Sequence, residues 1–125
     1  MERSPIFVFG SNLAGIHGGG AAKWAYENRG AEWGVGFRLT GAAFAIPTKD
    51  WNIETLPLKE IEKFVWRFLK FAQARSDLTF QLTAIGCGHA GYTRVQIAPM
   101  LKDAPANVVL PDEFRAILAP DQPRP

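Results

Sequence analysis

A short apolar run leads into a glycine-rich loop in the segment Ile6-Phe7-Val8-Phe9-Gly10-Ser11-Asn12-Leu13-Ala14-Gly15-Ile16-His17-Gly18-Gly19-Gly20. The run at 6–9 predicts a buried strand, because it is apolar and ends at a glycine. The residues from Ala21 to about Arg29 predict a helix, which Gly30 would end. Three consecutive glycines cost backbone entropy, so we expect them where the chain bends tightly or where a ligand approaches bare backbone. Free amides at such a helix start favour an anion, and a phosphate is the natural ligand.

A second glycine-rich loop repeats this arrangement later in the chain. All twelve glycines lie in two groups, nine among residues 10–41 and three among residues 86–91. The second loop lies between an apolar run at 80–85 and a short predicted helix, and reads Gly86-Cys87-Gly88-His89-Ala90-Gly91-Tyr92. In parallel sheets, loops that follow strands meet at one edge of the sheet. The two loops can therefore hold two phosphates, or a pyrophosphate and a ribose, with Tyr92 against a sugar or base.

The remaining apolar patterns predict strands that alternate with helices. Short apolar runs predict further strands at 43–46, 80–85 and 108–110. Helical spacing and proline positions predict further helices at 57–75, 93–101 and 111–118. The pair Gly34-x-Gly36 precedes a predicted strand rather than a helix, so it does not fit a dinucleotide-binding turn, which joins a strand to a helix. This order predicts an α/β fold, a three-layer α/β/α domain with a mostly parallel sheet that is covered on both faces.

Composition places the chain among single-domain globular proteins. The 125 residues are 47% hydrophobic, which excludes a disordered chain and suffices for one core. Residues 1–125 are therefore expected to form one domain, with a frayed proline-rich tail at 118–125. A formal net charge of +2 gives no dense basic patch like those of dedicated nucleic-acid binders. No apolar run is long enough to cross a membrane, and the single cysteine, Cys87, excludes an internal disulfide and fits a cytoplasmic setting.

The first loop matches neither of the common nucleotide-binding motifs. Gly10 and Gly15 have the spacing of a Walker A loop, but Ile16 and His17 stand where that loop carries lysine and serine or threonine. The dinucleotide pattern Gly-x-Gly-x-x-Gly does not occur in this turn. Two histidines on separate loops, without a matching carboxylate pattern, do not predict a metal site. We therefore expect neither a metal nor another cofactor.

Two motifs stand out when the loops are read together. Asn12 is followed after five residues by Gly18-Gly19-Gly20-Ala21-Ala22, and much later comes Ile85-Gly86-Cys87-Gly88-His89-Ala90-Gly91. Over about residues 7–114 this pattern resembles the macro domain, an ADP-ribose-binding fold, and in particular the compact macro-like proteins of phages and bacteria. Ala45-Ile46-Pro47-Thr48-Lys49 and the helix after it resemble the branch that holds the terminal ADP-ribose protein glycohydrolases and the DNA ADP-ribosyl glycohydrolase antitoxins. The resemblance implies a macro-like domain shortened at its N-terminus, without the aspartate that reads adenine.

The resemblance also implies roles for individual residues. Asn12 would contact the distal ribose, the first glycine turn would wrap the ribose and diphosphate, and the second loop would bind phosphate through its amides. Lys49 falls where that branch carries its catalytic lysine, which can attack the anomeric carbon or stabilise a departing group by charge. Ala90 replaces the aspartate that the protein glycohydrolases pair with this lysine, so the DNA-directed antitoxins are the nearer likeness there. The expected ligand-binding residues are Asn12, His17, Gly18, Gly19, Gly20, Gly86, Cys87, Gly88, His89, Ala90, Gly91 and Tyr92.

Three side-chain types near these motifs bear on the same predicted site. His17 and His89 lie one in each loop and can converge on the ligand as proton donors or phosphate contacts. Trp51, just after the candidate lysine, is the tryptophan best placed to line a pocket. Cys87 is expected to be a small packing residue, since nothing beside it in sequence would lower its pKa.

The predicted function is the binding of ADP-ribose or a related NAD-derived nucleotide. Its enzymatic form is the hydrolysis of ADP-ribose from modified DNA or protein, which would then be the partner. One alternative is a non-catalytic reader of the modification, or a sponge that sequesters a nucleotide signal. Another is a phosphate-ligand domain whose ligand is no longer ADP-ribose. No membrane partner is expected in any of these cases.

Overall fold

A five-stranded sheet organises the structure, a computed structural model that describes residues 4–119. The strands are β1 (Ile6–Asn12), β2 (Arg38–Thr40), β3 (Ala43–Lys49), β4 (Phe80–Leu82) and β5 (Val108–Val109). Their order is β2-β3-β1-β4-β5, and β2 is antiparallel to β3 while the other pairs are parallel. The predicted α/β class with a mostly parallel sheet is confirmed.

Within residues 4–119, four α-helices follow β1, β3, β4 and β5. They are α1 (Gly20–Asn28), α2 (Leu58–Ala74), α3 (Arg94–Ile97) and α4 (Asp112–Leu118). The helix predicted at 93–101 changes after α3 into a 3₁₀ helix, Ala98–Leu101, because Pro99 has no N–H for an α-helical bond. Within residues 4–119, no helix has the length and apolar character needed to cross a membrane.

Several strand boundaries differ from the prediction. β1 and β3 run on to Asn12 and Lys49, because the two strands stay paired in parallel from Phe7↔Ala43 to Asn12↔Lys49, with a register shift between Ser11 and Asn12. β4 stops at Leu82 instead of 85, since the chain turns directly after Thr83, where the Ile85 N–H donates back to the Thr83 carbonyl at 2.8 Å. Residues 120–125 of the predicted frayed tail lie outside the described residues.

The amphipathic helix α2 buries one stripe of its surface. The stripe recurs every three or four residues and consists of Ile61, Val65, Phe68 and Ala72. These side chains are at most 1% exposed, so burial of this stripe, rather than helix propensity, holds α2 in place. The Phe68 ring packs on Phe44 of β3 with 4.9 Å between ring centroids.

Helix α1 packs on a second, smaller core cluster. That cluster consists of Phe9, Ala22, Ala25, Ala31, Ala43 and Ala45. Val8, the neighbour of Phe9 in β1, belongs instead to the larger cluster that includes the stripe of α2. The side chains of β1 therefore alternate between the two clusters, as expected of a strand with two buried faces. Because alanines fill most of the smaller cluster, α1 lies close to β1.

Two glycines allow the first loop to lie directly on the backbone of residues 34–36. A Cβ atom on Gly36 would be 2.0 Å from the Asn12 carbonyl oxygen. A Cβ atom on Gly15, whose φ is +67°, would be 2.2 Å from the carbonyl carbon of Gly34. The N–H of Gly34 donates to the Gly15 carbonyl at 2.8 Å. The path of the loop therefore depends on backbone contact that no side chain would permit.

We expect Gly36→Ala to lower the free energy of unfolding by about 3 kcal/mol or more, because the added methyl meets rigid backbone. Gly88→Ala is the matched control: a Cβ there meets nothing within 4 Å, so that variant should stay close to wild type. Urea unfolding of the three proteins measures both effects. Equal stability of the two variants would show that the loop does not rest on residues 34–36.

Candidate functional site

A cavity of about 320 Å³ opens at the carboxyl ends of β1 and β3. Its volume lies in the range of small-molecule sites. Both glycine loops contribute to its wall, together with the ends of these strands and the start of α1. The lining residues are Gly10, Ser11, Asn12, Ile16, Gly18, Gly19, Gly20, Ala21, Ala22, Thr48, Lys49, Ile53, Ala84, Ile85, Gly86, Gly88, His89 and Ala90.

The two glycine loops approach each other across this cavity. A Cβ atom on Gly20 would lie 3.5 Å from Nε2 of His89. A Cβ atom on Gly10 would lie 3.8 Å from the backbone nitrogen of Gly86 and 3.5 Å from the Thr48 hydroxyl oxygen. The expectation that both loops share one sheet edge thus matches the geometry. Small residues at these positions keep the space between the loops open.

Among the described residues, no side chain caps the positive end of α1, which opens into the cavity. Gly19 is its N-cap and offers no side-chain cap, and its first turn holds no acidic residue. The other helices differ, since α2 has Glu60 and α4 has Asp112 in the first turn, and Thr93 caps α3. Residues Gly20 to Ala22 line the cavity. The free N–H groups and the dipole of α1 therefore favour an anion at this wall.

The charges of the cavity wall favour the same kind of ligand. Among the described residues that line it, none is an aspartate or glutamate, while Lys49 and His89 are present. The backbone of Lys49 is held to the first loop, because its carbonyl accepts from the Leu13 N–H at 2.9 Å. Residues 4–119 contain no group of three or more His, Cys, Asp or Glu side chains that could hold a metal ion.

Asn12 shapes the first loop with its side chain. Its amide nitrogen donates to the Ile16 carbonyl at 2.9 Å, and its amide oxygen accepts from the Ile16 N–H at 3.0 Å. The side chain is only 7% exposed, although the residue contributes to the cavity wall. The amide expected to contact ribose is thus engaged with the backbone of its own loop.

His17 lies beneath the first loop and does not line the cavity. Its side chain is 1% exposed, with Nε2 2.9 Å from the Glu32 carbonyl oxygen and Nδ1 3.2 Å from the Ser11 hydroxyl. Because a carbonyl only accepts, Nε2 carries the proton and Nδ1 accepts from Ser11 in the neutral ring. Burial lowers the pKa of His17. The predicted ligand contact of this histidine is therefore replaced by a role in holding the loop to residue 32.

Cys87, Gly91, Tyr92 and Trp51 are also absent from the cavity wall. The Tyr92 hydroxyl donates to the Leu56 carbonyl at 2.7 Å, so its ring fastens the second loop rather than facing a ligand. Cys87 packs against the main core, and desolvation raises the pKa of its thiol. Trp51 is 68% exposed. The second loop thus presents Gly86, Gly88, His89 and Ala90 to the cavity and turns its other side chains away.

The segment after β3 contributes a wall residue that sequence reasoning missed. Ile53 lines the cavity although its φ is +63°, a conformation that β-branched residues rarely adopt. Asp50 begins this turn, with its carboxylate accepting from the N–H groups of Asn52 and Glu54 at 2.8 and 3.0 Å. An aspartate after a strand is a usual sign of such a turn. No feature of the sequence signals that Ile53 adopts the left-handed conformation.

The buried neutral His17 makes stability depend on pH. Its pKa lies below the ordinary value of 6.5 in the folded chain, so the unfolded chain binds the proton more readily. The free energy of unfolding should therefore fall as pH is lowered through about 6.5, by at most about 1.4 kcal/mol per pH unit from this group. His17→Gln should flatten the dependence between pH 7 and 5.5, whereas His89→Gln, at an exposed ring, serves as control. An unchanged slope in His17→Gln would contradict this account.

Comparison with known proteins adds no relative on which a function could be based. The chain matches no protein family, no curated protein and no solved structure.

Proposed function

We propose that this chain binds ADP-ribose or a related NAD-derived nucleotide in the cavity between its two glycine loops. The observation that carries the proposal is the uncapped start of α1, which forms part of a cavity wall that has no carboxylate among the described residues. A diphosphate could contact the amides of both α1 and the second loop, since both line the same cavity. The apolar and small residues of the wall leave room for ribose beside it.

The proposal extends to the fold and the setting of the protein. We propose a three-layer α/β/α macro-like domain that acts in the cytoplasm. Two core clusters support this fold, because α1 packs with one and α2 with the other, and β1 contributes Phe9 and Val8 to them in turn. The motifs that resemble the macro domain lie in the two loops that border the cavity.

The enzymatic form of this function is hydrolysis of ADP-ribose from modified DNA or protein. The bond between the anomeric carbon of the distal ribose and the modified group would break, with water added across it. Lys49 lines the cavity at the end of β3 and is the cationic side chain that could act on this carbon or on the departing group. In this form the ADP-ribosylated macromolecule is the partner.

A non-catalytic reader or nucleotide sponge is the second candidate, and the composition of the wall favours it. Glycosyl hydrolysis by general acid and base usually relies on carboxylates. Among the described residues, the wall holds none, and the position expected to carry an aspartate is Ala90. A site of this kind can hold a diphosphate without turning it over.

Two variants of Gly19 test whether the anion lies at the start of α1. Its backbone is extended, with φ at −158°, and a Cβ atom there meets nothing within 4 Å, so larger residues fit. In a calorimetric titration, we expect Gly19→Glu to weaken ADP-ribose binding about tenfold more than Gly19→Gln, because the two differ in charge but hardly in size. AMP and NAD serve as comparators. Absence of ADP-ribose binding to wild type would overturn the proposed function. Equal ADP-ribose affinities of the two variants would show that the anion does not bind at the start of α1.

Substitution of Lys49 tests whether the chain hydrolyses ADP-ribose from a modified macromolecule or only binds it. If the chain hydrolyses ADP-ribose from DNA or protein, Lys49→Ala should slow release about 100-fold while changing ADP-ribose affinity far less. Lys49→Arg keeps the charge, so its activity distinguishes a charge effect from attack by the amine. The measurement is release of ADP-ribose from both kinds of modified substrate. Tight binding by wild type without release from either would favour the reader.

A further inference from the structure

Ile53 occupies a costly position on the cavity wall. Its φ of +63° lies in the left-handed region, where glycine or asparagine is favoured and a β-branched residue is an outlier. Its side chain is 41% exposed and belongs to neither core cluster, so packing does not explain the choice of isoleucine. Backbone outliers that persist without a packing benefit are concentrated at ligand sites. The presence of isoleucine at this strained position is therefore best explained by a function of its side chain in the cavity.

The turn that carries Ile53 is held firmly on both sides. The N–H of Ile53 donates to the Asp50 carbonyl at 3.1 Å, and the N–H of Asp50 donates to the Glu54 carbonyl at 2.7 Å. The hydroxyl of Thr55 donates to the carbonyl of Ala90 at 2.9 Å, which ties this turn to the second glycine loop. The surrounding contacts thus hold the strained residue in one position relative to both the end of β3 and the second loop.

Ile53 is one of two exposed isoleucines among the described residues, and both line the cavity. Ile16, on the first loop, is 43% exposed. A diphosphate beside α1 would need no apolar partner, so these side chains are suited to another part of the ligand. The apolar face of a ribose or a nucleobase would cover them and remove their surface from water.

We propose that Ile53 is a specificity-determining residue, whose strained turn supplies apolar surface for a sugar or base ring beyond the phosphates. This role rests on the proposed nucleotide-binding function. It makes the site selective for a nucleotide over a simple inorganic diphosphate, which the glycine loops alone would bind. In this role, the isoleucine side chain contributes to ligand affinity rather than to the stability of the fold, at the cost of a strained backbone.

The test compares stability with affinity in Ile53→Gly and Ile53→Asn. Both residues tolerate the left-handed conformation, so we expect the unfolding midpoint of Ile53→Gly to rise by roughly 3 °C or more, with Ile53→Asn at least as stable as wild type. Both variants should bind ADP-ribose about tenfold more weakly, while their affinity for inorganic pyrophosphate stays within about twofold of wild type. Calorimetry and thermal unfolding supply the two readouts.

Arg38→Gly is the matched control for this experiment. Arg38 is the other non-glycine residue with positive φ among residues 4–119, at +139°, but it does not line the cavity, so its replacement should leave ADP-ribose affinity unchanged. Unchanged ADP-ribose affinity in both Ile53 variants would overturn the role of Ile53 and leave the proposed function standing. Equal losses for ADP-ribose and pyrophosphate would also overturn it, since the residue would then act on the phosphate site. If the wild-type chain binds no ADP-ribose, both the proposed function and the role of Ile53 are overturned.

Discussion

The close backbone contact between the first glycine loop and residues 34–36 determines where the rest of the site lies. Gly36 leaves space for the Asn12 carbonyl, and Gly15 lies against Gly34. Within the loop, the Asn12 side chain bonds to the backbone of Ile16, so the turn is closed from inside as well. These contacts position the loop that leads from β1 into α1, whose first residues line the cavity together with the ends of β1 and β3.

Several polar side chains beneath this loop form hydrogen bonds within the protein, whereas the start of α1 does not receive one from a side chain. His17 uses both ring nitrogens, with Ser11 and the Glu32 carbonyl as partners, and the Thr48 hydroxyl donates to the Ser11 carbonyl at 3.3 Å. The start of α1 has no comparable side-chain partner. Residues 18–21 are exposed, so the amides at the start of α1 are open to solvent or to a ligand in the cavity. The glycines, which are costly for folding, are thus concentrated where a ligand can approach the backbone.

The sequence predicted the larger features of the fold and the loops of the site, and it failed where tertiary contacts decide. The stripe of α2 and the apolar runs of β1 and β3 are periodic or continuous, so local pattern suffices for them. β2 has three residues and no apolar run, and only its pairing with β3 defines it. The burial of His17 depends on residue 32, fifteen positions away, and no local rule describes it. Ile53 contradicts local propensity outright, which is typical of residues retained for function.

The distinction between binding and catalysis at this site depends on where each contact acts. Backbone amides of α1 and of the second loop would hold the diphosphate equally in the ground state and in the transition state. Such uniform binding raises affinity without accelerating the bond-breaking step. If the site hydrolyses ADP-ribose, only groups near the anomeric carbon can lower the barrier, and among the described wall residues Lys49 and His89 are the side chains that can carry a positive charge or donate a proton to a departing group. The backbone amides of the site therefore give no information on turnover, and any catalysis would depend on one or two side chains of the wall.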